Sequence, residues 1–166
     1  MSDEIRKSGD DANQYLTFML AEEQYAVDVY DVKEVLEYTT VTRVPRTQEF
    51  MRGVINLRGS VVPVIDLRLK FGMEATSKTI DTSIIVMEVE IGAGKVTVGC
   101  LADSVQEVIN LDPELIEPAP KIGTRINTDF IRGIGKQDER FVIVLDIDRV
   151  FSDEELSAVV EEVATR

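Results

Sequence analysis

Phe50-Met51-Arg52-Gly53-Val54 returns as Phe130-Ile131-Arg132-Gly133-Ile134, and this recurrence decides the fold. The register persists beyond it. Val62, Val64, Ile65, Asp66, Leu67 and Phe71 recur at a constant offset of 80 as Val142, Val144, Leu145, Asp146, Ile147 and Phe151. A fixed register over Phe, Arg-Gly and Asp favours tandem duplication of one unit over shared β-composition. Upstream, Val32-Lys33-Glu34-Val35 echoes Val105-Gln106-Glu107-Val108 at an offset of 73. The discrepancy falls between Leu111 and Asp129, an irregular stretch that holds Pro113, Pro118 and Pro120.

Working outward from the repeat, strand signals dominate. Leu16, Phe18 and Leu20 alternate along Tyr15–Leu20, and residues 24–29 are placed to pair back after a Glu22-Glu23 turn. Thr39–Val44, rich in β-branched residues, is expected as a third strand, and Thr47–Arg52 as a helical turn stopped by Gly53. Residues 54–57 and 60–66 then read as a hairpin about Arg58-Gly59. About five strands in each half are too few for a flat two-faced sheet, and they suit a small closed barrel. The expected fold is therefore all-β, with two tandem five-stranded barrels, short connecting helices and a C-terminal helix. The expected boundaries are a flexible N-terminus at 1–13, barrel 1 at about 14–81, barrel 2 at about 82–151, and an amphipathic helix at 152–166. That helix opens on a Ser152/Glu155 capping box and carries Leu156, Val159, Val160 and Val163 on one face.

With 166 residues and 44% hydrophobic content, the chain can bury a core. Its 31 acidic against 18 basic residues leave a net charge of −13, which disfavours nucleic acid and anionic lipid surfaces. Apolar runs such as Ile84-Ile85-Val86-Met87 are far shorter than the ~20 residues of a membrane-spanning helix, and no secretory leader pattern opens the chain. Cys100 is the only cysteine, and its apolar neighbours mark it as a buried small hydrophobe in a cytoplasmic protein.

Catalytic equipment is sparse. The absence of histidine removes the commonest general base and transition-metal ligand, and with it Ser-His and Cys-His catalysis. Asp81-Thr82-Ser83 lacks the glycine of an aspartic-protease loop and has no counterpart in the other half. Gly92-Ala93-Gly94 lies between strand-like runs and reads as a hairpin turn, because no P-loop lysine follows it. Asp66 and Asp146 each fall where a strand ends and a short helix begins, the place of a helix cap. A two-carboxylate glycoside hydrolase is the competing enzymatic reading.

Two features remain for binding. Val32/Val35 and Val105/Val108 are duplicated pairs that either line a groove for an amphipathic helix or fill the joint between barrels. Arg58, at a turn whose glycine accounts for the geometry, is either free for a partner's carboxylate or a solvated charge.

Residues 54–68, Val-Ile-Asn-Leu-Arg-Gly-Ser-Val-Val-Pro-Val-Ile-Asp-Leu-Arg, closely resemble the signature of the chemotaxis coupling proteins of the CheW family. The resemblance extends from about Gln14 to Ser152 and includes Phe50-Met51-Arg52-Gly53 and Gly99-Cys100-Leu101-Ala102-Asp103. It implies two SH3-like barrels, no enzymatic activity, no cofactor and no metal. The implied partners are the cytoplasmic helical tip of transmembrane chemoreceptors and the regulatory domain of the CheA histidine kinase. Carried over by position, the receptor surface would comprise Leu16, Val29, Val32, Val35, Ala102, Val105 and Val108. The kinase contact would comprise Glu34, Arg43, Gly53 and Arg58. The absence of kinase or receiver motifs points to the stand-alone adaptor, cytoplasmic and located at membrane-associated receptor arrays.

Overall fold

The computed structural model describes residues 14–45, 47–91, 94–118 and 130–151. The expected N-terminal segment and the helix expected at 152–166 lie outside the described residues. Among the described residues there are ten strands: β1 (Gln14–Leu20), β2 (Glu23–Asp28), β3 (Val32–Glu37), β4 (Met51–Leu57), β5 (Ser60–Asp66), β6 (Ser83–Ile91), β7 (Gly94–Ala102), β8 (Ser104–Asn110), β9 (Ile131–Gln137) and β10 (Arg140–Leu145). Short helices α1 (Leu67–Lys70) and α2 (Ile147–Val150) follow β5 and β10.

The strands form two five-stranded sheets, ordered β8-β1-β2-β10-β9 and β3-β6-β7-β5-β4. Compared place by place, β3, β4 and β5 match β8, β9 and β10, while β6-β7 matches β1-β2. The repeat expected from sequence is real in this order, but the expected division near 81/82 is not where the sheets part. Each repeat lends its first hairpin to the sheet built by the other. The cause is the length of the crossovers. Only the 3-10 turn Val29–Asp31 separates β2 from β3, and only Asp103 separates β7 from β8, so the chain passes into the neighbouring sheet instead of folding back.

The two sheets curl around separate small clusters. Tyr15, Ala26, Ile109, Val142 and Val144 fill the first, and Ile55, Val62, Val64, Ile84, Val86 and Leu101 fill the second. A larger cluster draws on both sheets, including Leu16, Phe18, Leu20 and Val27 from one and Ile85, Met87, Val98 and Cys100 from the other. β6 therefore points Ile84 and Val86 into its own barrel and Ile85, Met87 and Val89 into the shared layer, which explains its near-continuous apolar sequence. Phe71 and Phe130 stack within this layer, with ring centroids 4.4 Å apart.

Beyond β3 and β8 the chain closes each sheet through a single bridge. Thr42 pairs with Val54 by two bonds of 2.8 Å, and Glu117 pairs with Ile134 by bonds of 2.9 and 2.6 Å. Thus the strand expected over Thr39–Val44 contracts to one bridge, and the helical turn expected over Thr47–Arg52 gives way to β4 from Met51. The strand β3 was not expected, because its apolar residues are spaced three apart.

Asp66 is fully buried and caps α1, its Oδ1 accepting from the backbone N–H groups of Arg68 (3.0 Å) and Leu69 (3.3 Å). The same carboxylate accepts from Arg52 Nη1 (2.8 Å), Thr76 N (2.9 Å) and Thr76 Oγ1 (2.8 Å). Asp146 differs from the expectation: its side chain makes no cap bond and lies 3.6 Å from Arg149 Nε, one turn along. Asp66→Asn keeps the volume but turns an amide N–H₂ toward these donors. It is expected to cost about 3 kcal/mol, read as a lower urea midpoint at unchanged slope.

Candidate protein-interaction surfaces

The valine pairs owe their geometry to β-bulges. In β3, Val32 sits opposite Met87 and Val35 opposite Ile85, with an extra residue between Val32 and Glu34. Side chains opposite one another share a face, so the bulge brings valines three apart onto the same side of the strand. β8 repeats the device: Val105 faces Phe18 and Val108 faces Leu16, again with an extra residue. All four opposing residues belong to the layer shared by the sheets.

The two readings of these valines divide by position. Val32 and Val105 are half-buried against the shared layer and help fill the joint. Val35 and Val108 project from it, 43% and 49% exposed. Val29 is half-buried against the shared layer, and Leu16 and Ala102 are buried within it.

Glu34 lies opposite Val86, which points into the barrel of its own sheet, so Glu34 leaves β3 on the face opposite Val35. There Arg58 meets it. The β4–β5 turn is left-handed at Arg58 (φ 50°) and Gly59 (φ 88°), and Gly59 N donates to Asn56 Oδ1 at 2.8 Å. Arg58 Nη1 donates to Glu34 Oε1 at 3.3 Å, and Nη2 bonds Oε2. The arginine expected to be free is therefore paired within the chain. Its hydrogen bond holds the Glu34 carboxyl below the usual range, and Glu34 raises the guanidinium in turn.

Lys33, Leu57, Arg58, Val61, Lys95 and Val96 border a surface pocket of about 660 Å³. Val61 is 56% exposed among these cations. Sequence reading passed over Val61, Lys33 and Lys95, although an apolar residue at the exposed end of a hairpin was the available signal. Arg43 is exposed and borders a different depression with Val44, Gln48, Glu49 and Arg52. Gly53 is buried and offers no contact surface. Its φ is +149°, and an added Cβ would stand 2.2 Å from Thr42 O, so glycine is what permits the Thr42–Val54 bridge.

Asp66 is committed to five internal donors, and burial pushes the Cys100 thiol up to about 12. Among the described residues, no group of three or more potential ligands is placed to hold a metal ion, and no helix is long and apolar enough to cross a membrane. Asp31, at the β2–β3 crossover, is raised to about 6 by burial first and then by Asp28 and Asp148, against the opposing pull of Arg132.

These features define a duplicated β-barrel protein with an apolar and a charged candidate surface on the two faces of β3. The family model described as the CheW-like domain matches residues 14–155, and the chain belongs to that family. It is 39% identical over 151 residues to the chemotaxis protein CheW of Klebsiella aerogenes, covering 91% of this chain and 88% of that one. It is 35% identical over 150 residues to the chemotaxis protein CheW of Bacillus subtilis, covering 90% and 93%. The crystal structure of the scaffolding protein TtCheW from Thermoanaerobacter tengcongensis superposes with a TM-score of 0.76 at 39% identity, covering 86% of this chain and 94% of that one.

Two outcomes are expected. Gly53→Ala should destabilise by about 3 kcal/mol, against about 1 kcal/mol for Gly59→Ala in open space, as measured by chemical unfolding. Because the folded-state pKa of Asp31 is raised, wild-type stability is held down above pH 6 and recovers as pH falls toward the ordinary carboxylate range. Asp31→Asn should therefore raise Tm over wild type at pH 7.5 and lose that advantage near pH 4.

Proposed function

We propose that this chain is a non-enzymatic cytoplasmic scaffold that couples transmembrane chemoreceptors to the CheA histidine kinase in bacterial chemotaxis arrays. The observation that carries the reading is that β3 presents apolar valines on one face and the charged Glu34–Arg58 pair on the other. One rigid body thereby offers two surfaces of different chemistry. The family membership supports it, since relatives are named chemotaxis proteins and one solved relative is titled a scaffolding protein.

The exposed Val35 and Val108, with Val32, Val105 and Val29 behind them, suit the apolar stripe of a receptor helix. Leu16 and Ala102 act from below by holding these side chains in place. Burial of such surface contributes about 25 cal/mol per Å² before the costs of association. On the other face, Glu34 and Arg58 supply a hydrogen-bonded charge pair whose remaining donors and acceptors set the register of a kinase barrel. Arg43 adds a cation at a separate depression beside Arg52, and Gly53 contributes only through the Thr42–Val54 bridge it permits. Signal transmission then consists of geometry: a receptor helix that shifts in its seat moves the kinase contact with it.

Substitution separates the two surfaces. Val35→Asp and Val108→Asp should each weaken binding to a receptor cytoplasmic hairpin by about 1–2 kcal/mol with little change in Tm, because both side chains are already exposed. Arg58→Glu should weaken binding to the kinase regulatory domain and spare the receptor hairpin. Isothermal titration with both partners checks this, and equal effects of all three substitutions on both partners would contradict the assignment.

A further inference from the structure

Asp103 is the whole of the crossover between β7 and β8. Ala102 still pairs with Ser83 of one sheet, and Ser104 already pairs with Met19 of the other. Its polar atoms bond the β1–β2 hairpin of one sheet and α1, the short helix that follows β5 of the other. Asp103 N donates to Met19 O at 2.9 Å, and its Oδ2 accepts from Ala21 N at 2.7 Å, at the left-handed tip of the β1–β2 hairpin. The same carboxylate takes Arg68 Nη1 of α1 at 3.1 and 3.3 Å. Arg68 is itself anchored, since its backbone N–H is held by the buried Asp66. The Asp103–Arg68 pair is largely withdrawn from water, with side chains 27% and 20% exposed, so its attraction is screened less than that of a surface pair.

We infer that Asp103 is a positioning residue for the valine surface: by tying Arg68 of α1, which follows β5 of one sheet, to the Met19–Ala21 turn of the other, it sets how the Val105–Val108 rim stands against the Val32–Val35 rim. This rests on the receptor-binding reading given above. Val105 lies two residues beyond Asp103 on β8, and Leu16, which backs Val108, lies on the strand whose end Asp103 holds. The kinase-facing pair, Glu34 with Arg58, lies wholly within one sheet and does not depend on the Asp103–Arg68 pair.

Asp103→Asn keeps an acceptor for Ala21 N and removes the charge that holds Arg68. The affinity of the full chain for a receptor cytoplasmic hairpin is expected to fall about tenfold, within the range of coupled contacts, while its affinity for the kinase regulatory domain is unchanged. Arg68→Gln should give the same loss, the double substitution should be no weaker than either single one, and Arg68→Lys should restore most of the affinity. The inference is overturned if Asp103→Asn binds the hairpin as wild type does, or if kinase binding and Tm fall in parallel with receptor binding. A wild-type chain that binds no hairpin overturns the receptor reading itself, and this inference with it.

Discussion

The apolar layer between the sheets can be buried by neither sheet alone. Leu16, Phe18 and Leu20 on one side and Ile85, Met87 and Val89 on the other are covered only when the two sheets meet. The exchanged hairpins make that meeting obligatory, because strands on each side of the layer are continuous in sequence with the opposite sheet. Domain packing and chain connectivity thus impose the same constraint, and the two barrels form one body. The proposed coupling of one surface to another needs such a body, because a pair of barrels joined by a loose linker would move independently.

The surfaces proposed for binding are by-products of how this layer ends. Where β3 and β8 reach its margin, a bulge in each strand turns a second valine toward the same face, leaving Val35 and Val108 uncovered after Val32 and Val105 have completed the packing. On the other side of β3 the alternation of the strand delivers Glu34 to Arg58. A one-residue insertion within a strand is therefore enough to place an apolar and a charged surface back to back. No cavity with reactive groups is required for such a role, and the buried carboxylate of Asp66 serves the fold through its cap and its bond to Arg52.

Much of this was legible in the sequence. The offset of 80 between Asp66 and Asp146 matches the equivalence of β4-β5 with β9-β10, and the Arg58-Gly59 turn and the buried Cys100 lie as their sequence implied. The strands β3 and β8 were hidden because a bulge converts strict alternation into apolar residues three apart, which imitates a helix. The hairpin exchange was hidden for another reason. A tandem repeat shows that units recur, and it does not show whether a unit's own strands pair with each other or with those of its neighbour. The pairing of Arg58 with Glu34 depends on two strands that are not adjacent in their sheet, a relation that no local pattern records.

In the proposed scaffold, one rigid double barrel holds two signalling partners simultaneously on separate surfaces. The direct measurement is sedimentation velocity on the purified chain with a receptor cytoplasmic hairpin and the kinase regulatory domain, first in pairs and then together. A single faster-sedimenting species containing all three is the predicted result. Displacement of one partner by saturating amounts of the other would contradict the account.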